Sequence, residues 1–344
     1  MGMKGFIGRR AIDSTILIFV AILFNFFLFR LAPGDPTVAL LGKETQLRGD
    51  QQREIRDRYG LDKPIEQQFI IYMQKLILEQ DLGISLIHWR EVTDLMFGYR
   101  LFNTVMLMGT SIILSFILAL FLGTIAASKF KSRTDLMSIF GTLTVYSTPV
   151  FWLGMIILYV FYNQFDLIPV AGSPNYELIG TEYEITYIFG HKIQIGGLIF
   201  SWDWTVDYFY HMIAPVTTLT MSFVGGWFLI ARDQLLGIFA EDYMQTARAK
   251  GLRKSRILFV HARKNAMLPM VSVFALAMTY LVAGATLTET VFTWDGLGLL
   301  IFKAVTDHDY PLLQGLFLMV AVVAIISNFV ADVLYAYLDP RIRY

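Results

Sequence analysis

Six long stretches of this chain contain no Asp, Glu, Lys or Arg, and this pattern constrains the fold more than any other feature. The stretches are Ser14–Phe29, Leu101–Ser128, Leu136–Phe165, Tyr208–Ala231, Asn265–Thr288 and Tyr310–Ala331. A helix that crosses a bilayer needs about 20 predominantly apolar residues, and 56% of the 344 residues are hydrophobic. We therefore predict an all-α membrane protein with six transmembrane helices, at about residues 11–31, 101–126, 136–162, 208–232, 266–288 and 312–336.

The first stretch could also be a secretory signal peptide, because the basic residues of "MKGFIGRR" precede it. The apolar run is too long for a signal peptide, however, and no small-residue cleavage site precedes "LAPGDP". We expect an uncleaved first helix in contact with the lipid bilayer. The chain contains no cysteine, which excludes disulfides and thiolate metal sites. Its net charge of zero gives no sign of a nucleic-acid partner, and we expect none.

The distribution of Lys and Arg predicts the orientation of the helices. Basic residues are frequent before the first span, between the second and third, between the fourth and fifth, and after the sixth. The connections after the third and fifth spans contain only Lys192 and Lys303. The first loop is basic but too long to follow the charge rule. We predict cytoplasmic termini, external loops at 32–100 and 163–207, and a cytoplasmic segment at 233–265.

The predicted external loops contain local structure of their own. In "PIEQQFIIYMQKLI", one helical stripe is apolar, which predicts an amphipathic helix that packs on the end of the bundle or at the lipid interface, in preference to an external partner. The stripe consists of Ile65, Phe69, Tyr72, Met73 and Leu76. The stretch "YEITYIFGHKIQI" favours a small hairpin. The stretch "WDGLGLLIFKAVTDHDYP" is too short to span and predicts a re-entrant or interfacial element.

The segment "DYMQTARAKGLRKSRILFVHARKNAMLP" has a different composition, because it is basic, helix-forming and interrupted by glycine. Asp242 is a suitable N-cap, Tyr243, Thr246 and Ala247 share a helical face, and Gly251 can end the helix with a positive φ. A second short helix with Ile257, Leu258 and Val260 should follow. Attraction to anionic lipid would also favour the charge, but it would not require the glycine or the apolar face.

This segment resembles the cytoplasmic EAA-type loop of ABC importer permeases in the oligopeptide and dipeptide permease family. The similarity extends through "APGDP", "RYGLDKPIEQQF", "DLGIS", "TPVFWLG", "HMIAPVTTLT", "GATLTETVFTWDGLG", "DYPLLQG" and "DVLYAYLDPRIRY", all in the order of that family. The long first loop makes the chain most similar to the B-type permease subunit. The resemblance implies a type I ABC importer permease fold in a prokaryotic inner membrane.

The resemblance also implies partners. A second homologous permease would form the other half of the translocation path, two cytoplasmic ATPases would drive it, and an external solute-binding protein would deliver the substrate. The chain itself would be non-catalytic and without a cofactor, since ATP and Mg²⁺ would be bound by the ATPases. Consistent with this, the sequence contains no G-x-x-x-x-G-K-[ST] motif.

By match to the family motif, a set of residues is expected to couple the permease to the ATPases. These are Asp242, Thr246, Ala247, Arg248, Lys250, Gly251, Ile257, Leu258, Arg263, Asn265 and Pro269. Gly251 would permit the bend, Ala247 would allow close packing, and the basic residues with Ile257 and Leu258 would contact the ATPase. The chain departs from the family at Gln245, in "HARKN", and at Asp295, where the family usually has proline.

Four ionisable residues lie near the ends of predicted spans: Arg232, His211, Glu289 and Asp332. Such groups are functional candidates by default, but we expect structural pairing for each of them. The "TDHDY" run is expected to be a solvated turn and not a metal site. The stretch "VYSTPVFWLG" is a candidate pore lining, although helix packing by small residues explains it as well.

Two other classes of function are weighed against the permease. A proton-coupled secondary transporter would need an ionisable group near the middle of a span. No such group is found there. A membrane protease would need a Ser/His pair or an H-E-x-x-H helix, and the sequence offers neither of these two motifs. Within the permease family, the substrate could be a dipeptide, an oligopeptide, an oligosaccharide or a nickel chelate. Peptide is the expected substrate, and the substrate-binding residues are left open.

Overall fold

The computed structural model describes residues 3–30, 60, 62–85, 87–169, 172, 194–195, 198–199, 202–253, 256–262, 266, 270–271, 273–274, 276–283 and 285–338. Its α-helices are α1 (Met3–Arg30), α2 (Ile65–Gln74), α3 (Val92–Met96), α4 (Tyr99–Ser128), α5 (Arg133–Tyr146), α6 (Val150–Ile157), α7 (Trp202–Phe239), α8 (Asp242–Ala249), α9 (Tyr280–Ala283), α10 (Thr286–Val291), α11 (Leu297–Thr306) and α12 (Tyr310–Leu338). Lys75–Glu79, Leu158–Gln164 and Ile257–Ala262 are π-helical. Strands β1 (Gln194–Ile195) and β2 (Leu198–Ile199) form an antiparallel pair, with Gln194 opposite Ile199. This pair begins where the stretch predicted as a hairpin ends.

Within the described residues, four helical segments are long and apolar enough to cross a membrane. They are Gly5–Arg30, Val92–Ser128, Trp204–Phe239 and Tyr310–Val333. A fifth crossing is obtained if α5 and α6 are counted together. The molecule is therefore a helical membrane protein, and the part of the chain that the structure describes contains four or five such segments. The predicted fifth span, 266–288, falls partly on residues outside the described set.

The helix α7 forms the centre of the bundle. In its most apolar stretch 56% of the residues are buried, compared with 22% for α1 and for α12. It packs along α4, α5 and α6, whereas α1 packs mainly against α12. Many large apolar side chains of α1 are exposed, including Phe24 and Ile16. Such a surface is favourable only where lipid or another apolar surface covers it, so α1 and α12 lie at the periphery of this chain.

The third predicted span, 136–162, is not one continuous helix. The axes of α5 and of Val150–Gln164 meet at 99°. Pro149 is the N-cap of α6, and a proline disfavours the helical conformation of the residue before it and cannot donate a backbone hydrogen bond. The Thr148 hydroxyl instead donates to the Thr144 carbonyl at 2.9 Å. The bend lies inside the predicted pore-lining stretch, and Tyr146 and Trp152 beside it are exposed.

The amphipathic stripe of the first loop packs against α1. The ring of Phe26 lies 5.2 Å from the ring of Phe69 and 5.6 Å from that of Tyr72, measured between centroids. Phe26 is fully buried. The helix α2 is thus fixed to the bundle by aromatic contacts, which are typically worth about 0.5–1.5 kcal/mol beyond their burial.

Candidate functional site

The helix α8 starts one residue earlier than the sequence predicts. Its N-cap is Glu241, which has an extended backbone and no side-chain capping bond, and Asp242 is the first helical residue. The reason lies in the end of α7, where the Glu241 amide donates to the Ile238 carbonyl at 3.1 Å. The chain leaves the α7 turn at Glu241, so Asp242 is already inside the next helix. There its carboxylate still lies at the positive end of the helix dipole.

The buried residues of α8 are Met244 and Ala247, so only Ala247 of the predicted helical face of Tyr243, Thr246 and Ala247 is buried. Tyr243 and Thr246 are exposed. Met244 and Ala247 belong to an apolar cluster at the ends of α4 and α7. The buried members of the cluster are Ala127, Leu235, Met244, Ala247, Ile257, Ala262 and Ala266. This cluster fixes α8 to two helices of the bundle.

Gly251 ends α8 as predicted. Its φ is +71°, and its amide donates to the Arg248 carbonyl at 3.0 Å. A Cβ at this position would meet nothing within 4 Å, so the requirement for glycine is in the backbone and not in the packing. The predicted second helix is π-helical at Ile257–Ala262. Arg263, Asn265 and Pro269 lie outside the described residues.

The opposite face of the 242–262 segment is polar and exposed. Exposed residues of this segment include Asp242, Thr246, Arg248, Lys250, Arg253 and Arg256. Ile257, which the sequence assigned to a partner contact, is buried inside the chain, and Leu258 is half-buried. An open cavity of about 720 Å³ separates part of the segment from the ends of α4 and α7, and Phe130, Phe239 and Arg248 are among the residues that line it. The segment therefore has one anchored apolar side and one charged side.

At the other end of α4, its first turn binds the connection between α10 and α11. Arg100 Nε lies 3.1 Å from Asp295 Oδ1, and the Tyr99 hydroxyl donates to Asp295 Oδ2 at 2.9 Å. Asn103 Nδ2 donates to the Asp295 carbonyl at 2.7 Å, and Trp294 Nε1 donates to the Asn103 carbonyl at 3.2 Å. The aspartate that departs from the family's proline is therefore held by α4 through both its side chain and its backbone.

Glu289 lies beside this contact and is fully buried. The Thr104 hydroxyl donates to Glu289 Oε1 at 2.9 Å, and the Leu299 amide donates to Glu289 Oε2 at 3.0 Å. Thr104 Oγ1 in turn accepts from the Leu297 amide at 2.8 Å. We call the set Tyr99, Arg100, Asn103, Thr104, Glu289 and residues 294–299 the Glu289 network.

The other three ionisable residues near predicted span ends also have partners within the chain, which confirms structural pairing. Arg232 forms a two-pronged ion pair with Asp135, with nitrogen–oxygen distances of 2.7 and 2.8 Å. This pair joins the start of α5 to α7. His211 Nδ1 lies 2.9 Å from the Asp207 carbonyl. Arg10 lies 3.4 Å from Asp332 and joins α1 to α12.

The prediction of a solvated turn at "TDHDY" is wrong for Asp309, although Asp307 and His308 are exposed. Asp309 is only 1% exposed, and its carboxylate accepts hydrogen bonds from the Ser85 hydroxyl and, at 3.3 Å, from the Leu312 amide. It caps the start of α12 and ties it to the first loop. Among the residues that the structure describes, no group of three or more His, Asp or Glu side chains is arranged to hold a metal ion.

Comparison with known proteins decides the family. The model of the binding-protein-dependent transport system inner membrane component matches residues 119–344. The model of the N-terminal part of the same kind of membrane component matches residues 3–120. The chain belongs to this family. It is a multi-pass inner-membrane component of a transport system.

Individual relatives of this membrane component align over nearly its whole length. A di/tripeptide transport system permease of Pseudomonas aeruginosa is 35% identical over 99% of both chains. An oligopeptide transport system permease of Bacillus subtilis is 29% identical over 99% of this chain and 100% of its own length. A glutathione transport system permease of Escherichia coli is also 29% identical over the same shares.

Proposed function

We propose that this membrane component is a permease subunit of an ATP-driven importer of di- and oligopeptides. It forms half of the translocation path and hydrolyses no ATP itself. Support for a peptide substrate comes from the full-length relatives, which are named for di/tripeptide and oligopeptide transport. Oligosaccharides and nickel chelates are the alternative substrates within the same machinery.

The proposed topology has six spans with both termini in the cytoplasm, as in a type I importer permease. It is supported by the distribution of basic residues and by the chain path. Because α4 begins in the Glu289 network and ends at the cluster that holds α8, these two sites lie at opposite ends of the bundle. The 242–262 segment is basic and would face the cytoplasm, and the Glu289 network would face outward.

The observation that carries the coupling role is the two-sided structure of α8. Its apolar side, Met244 and Ala247, is buried against the ends of α4 and α7. Its other side exposes Asp242, Arg248 and Lys250. A subunit that cannot bind nucleotide must be moved by one that can, and a segment anchored in this way transmits a push on its exposed face to two membrane helices. Ile257 is buried in the same apolar cluster and helps to hold the segment against α4 and α7.

The proposed partners follow from this role. Two cytoplasmic ATPases, which bind the ATP and Mg²⁺, contact the exposed side of the 242–262 segment. By match to the family motif, they also contact Arg263, Asn265 and Pro269, which follow this segment in the sequence. A second homologous permease completes the path, and an external solute-binding protein delivers the peptide. Exposed apolar side chains of α1 and α12 face the lipid bilayer.

The proposal is tested by tagging the chain in its native host, purifying it in mild detergent and identifying the copurifying proteins by mass spectrometry. We expect a second permease and one or two P-loop ATPases. The reconstituted complex should then take up labelled peptide only with ATP and the binding protein present. Recovery of the chain alone, together with uptake driven by a proton gradient, would instead establish a secondary transporter.

A further inference from the structure

We propose that Glu289 is the positioning residue that fixes α11 to the first two turns of α4, so that these two helices move as one body during transport. The transport part rests on the proposed function, whereas the attachment of α11 can be tested without it. Three features of the Glu289 network carry this inference: a shared hydroxyl, two capped amides and the close approach of glycine.

The shared hydroxyl belongs to Thr104, which is fully buried. It donates to Glu289 Oε1 and accepts from the Leu297 amide. The Leu297 amide can only donate, so the hydroxyl proton of Thr104 is available for Glu289 Oε1. Glu289 is the acceptor in this arrangement, and α4, α10 and the start of α11 meet at this single oxygen.

The capped amides are those of Leu297 and Leu299, the first and third residues of α11. The first amides of a helix have no partner inside the helix. Thr104 satisfies one of them and Glu289 Oε2 satisfies the other. The carboxylate also lies at the positive end of the α11 dipole, which favours its position there.

The close approach of the chain requires glycine. A Cβ on Gly296 would lie 2.5 Å from both Glu289 Oε2 and Thr104 Oγ1, and a Cβ on Gly298 would lie 2.9 Å from Glu289 Oε2. The backbone before α11 therefore packs directly on the two side chains. A buried carboxylate is costly unless hydrogen bonds satisfy it. Here Glu289 Oε1 accepts a hydrogen bond from α4 and Oε2 accepts one from α11.

The first test measures deuterium uptake across residues 294–306 in the assembled complex. Glu289→Gln keeps the size of the side chain but replaces one acceptor oxygen by a donor, and Thr104→Val removes the shared hydroxyl. Both should raise the uptake, and the double variant should raise it no further. The matched control is Thr290→Val, because the Thr290 hydroxyl donates to the Thr286 carbonyl within α10. Uptake equal to that of the control would overturn the proposal, and this result requires no transport activity.

The second test asks whether α4 and α11 move together. Because the chain contains no native cysteine, Leu101→Cys and Leu300→Cys introduce a single pair within one apolar cluster. After a short thiol crosslink, peptide uptake should stay close to that of the same variant before crosslinking. Loss of uptake that reduction restores would show that the two helices separate during transport, and would overturn the one-body inference.

Kinetics of the same variants separate positioning from stability. Glu289→Gln should lower the maximal peptide uptake roughly tenfold, with little change in the half-saturating concentration of loaded binding protein. Thr290→Val should change neither. If Glu289→Gln leaves maximal uptake unchanged although deuterium uptake rises, Glu289 only stabilises the fold. If the wild-type complex takes up no peptide, the proposed function fails, while the deuterium result still stands.

Discussion

The Glu289 network and the 242–262 segment occupy opposite ends of the bundle and are attached to it in different ways. In the Glu289 network, hydrogen bonds between buried polar groups join α4 to α10 and α11. In the 242–262 segment, Met244, Ala247 and Ile257 make apolar contacts on one side only, and the polar side is exposed. The first arrangement fixes geometry inside the chain, and the second leaves a charged surface exposed, to which we propose that the ATPases bind.

The two kinds of attachment differ physically in how well they tolerate substitution. A buried hydrogen bond has a strict geometry, and loss of one partner leaves the other unsatisfied at a cost of about 1–3 kcal/mol. Apolar contacts lack direction and tolerate substitutions of similar volume. We therefore expect substitutions in the Glu289 network to lower stability and transport together, and substitutions on the exposed side of the 242–262 segment to lower transport alone.

The largest effect on stability is expected for Gly296→Ala. Its Cβ would overlap Glu289 Oε2 and Thr104 Oγ1, each 2.5 Å away, and overpacking of this kind costs about 1–3 kcal/mol. The melting temperature of the purified complex, followed by tryptophan fluorescence, should fall by several degrees. Gly237→Ala is the control, because nothing lies within 4 Å of its added Cβ. Equal melting temperatures for the two variants would show that Gly296 does not pack closely against Glu289 and Thr104.

A smaller loss of stability, with a larger selective loss of function, is expected for Gly251→Val. The φ of +71° costs a β-branched residue about 1–2 kcal/mol, which α8 can relieve by changing direction. Transport and substrate-stimulated ATP hydrolysis should be abolished while membrane insertion is kept. Gly251→Asn is the matched control, because asparagine tolerates positive φ, and it should keep most of the transport. Normal transport by Gly251→Val would refute the coupling role of this bend.

A still smaller effect is expected for Asp295→Asn. The side chains of Arg100 and Asp295 are 15% and 23% exposed, so their ion pair is partly screened and contributes about 0.5–1 kcal/mol. The Asn103 bond to the Asp295 carbonyl does not depend on the side chain. The melting temperature of the complex should fall by about one or two degrees at most, measured in the same experiment as Gly296→Ala. A fall as large as that of Gly296→Ala would show that the ion pair, and not the glycine contact, holds the loop.

The sequence predicted these two regions unequally. The spacing of basic residues and Gly251 located the 242–262 segment, because charge and glycine leave local signals, and the family motif suggested the role that we propose for it. In the Glu289 network, Asn103 and Thr104 left no such signal. Each is one uncharged polar residue whose partner lies far along the chain, and periodicity records only local spacing. Met244 and Tyr243 are both acceptable on an apolar face, and the sequence alone does not show that Met244 is the one that packs in the cluster at the ends of α4 and α7.

The smallest effect on stability, and a large effect on assembly, is expected when the charge of the exposed side is reversed. Arg253 and Arg256 are exposed, and with Lys254 they form the basic stretch that precedes Ile257–Ala262 in the sequence. Replacing all three by glutamate should leave the melting temperature of the chain unchanged, since exposed charges contribute little to folding. The affinity for the ATPases, measured by pull-down against increasing salt, should fall, because a complementary charged surface is reversed. If the ATPases bind the variant as tightly as the wild type, these three charges serve membrane orientation alone, and the contact must lie on α8 itself.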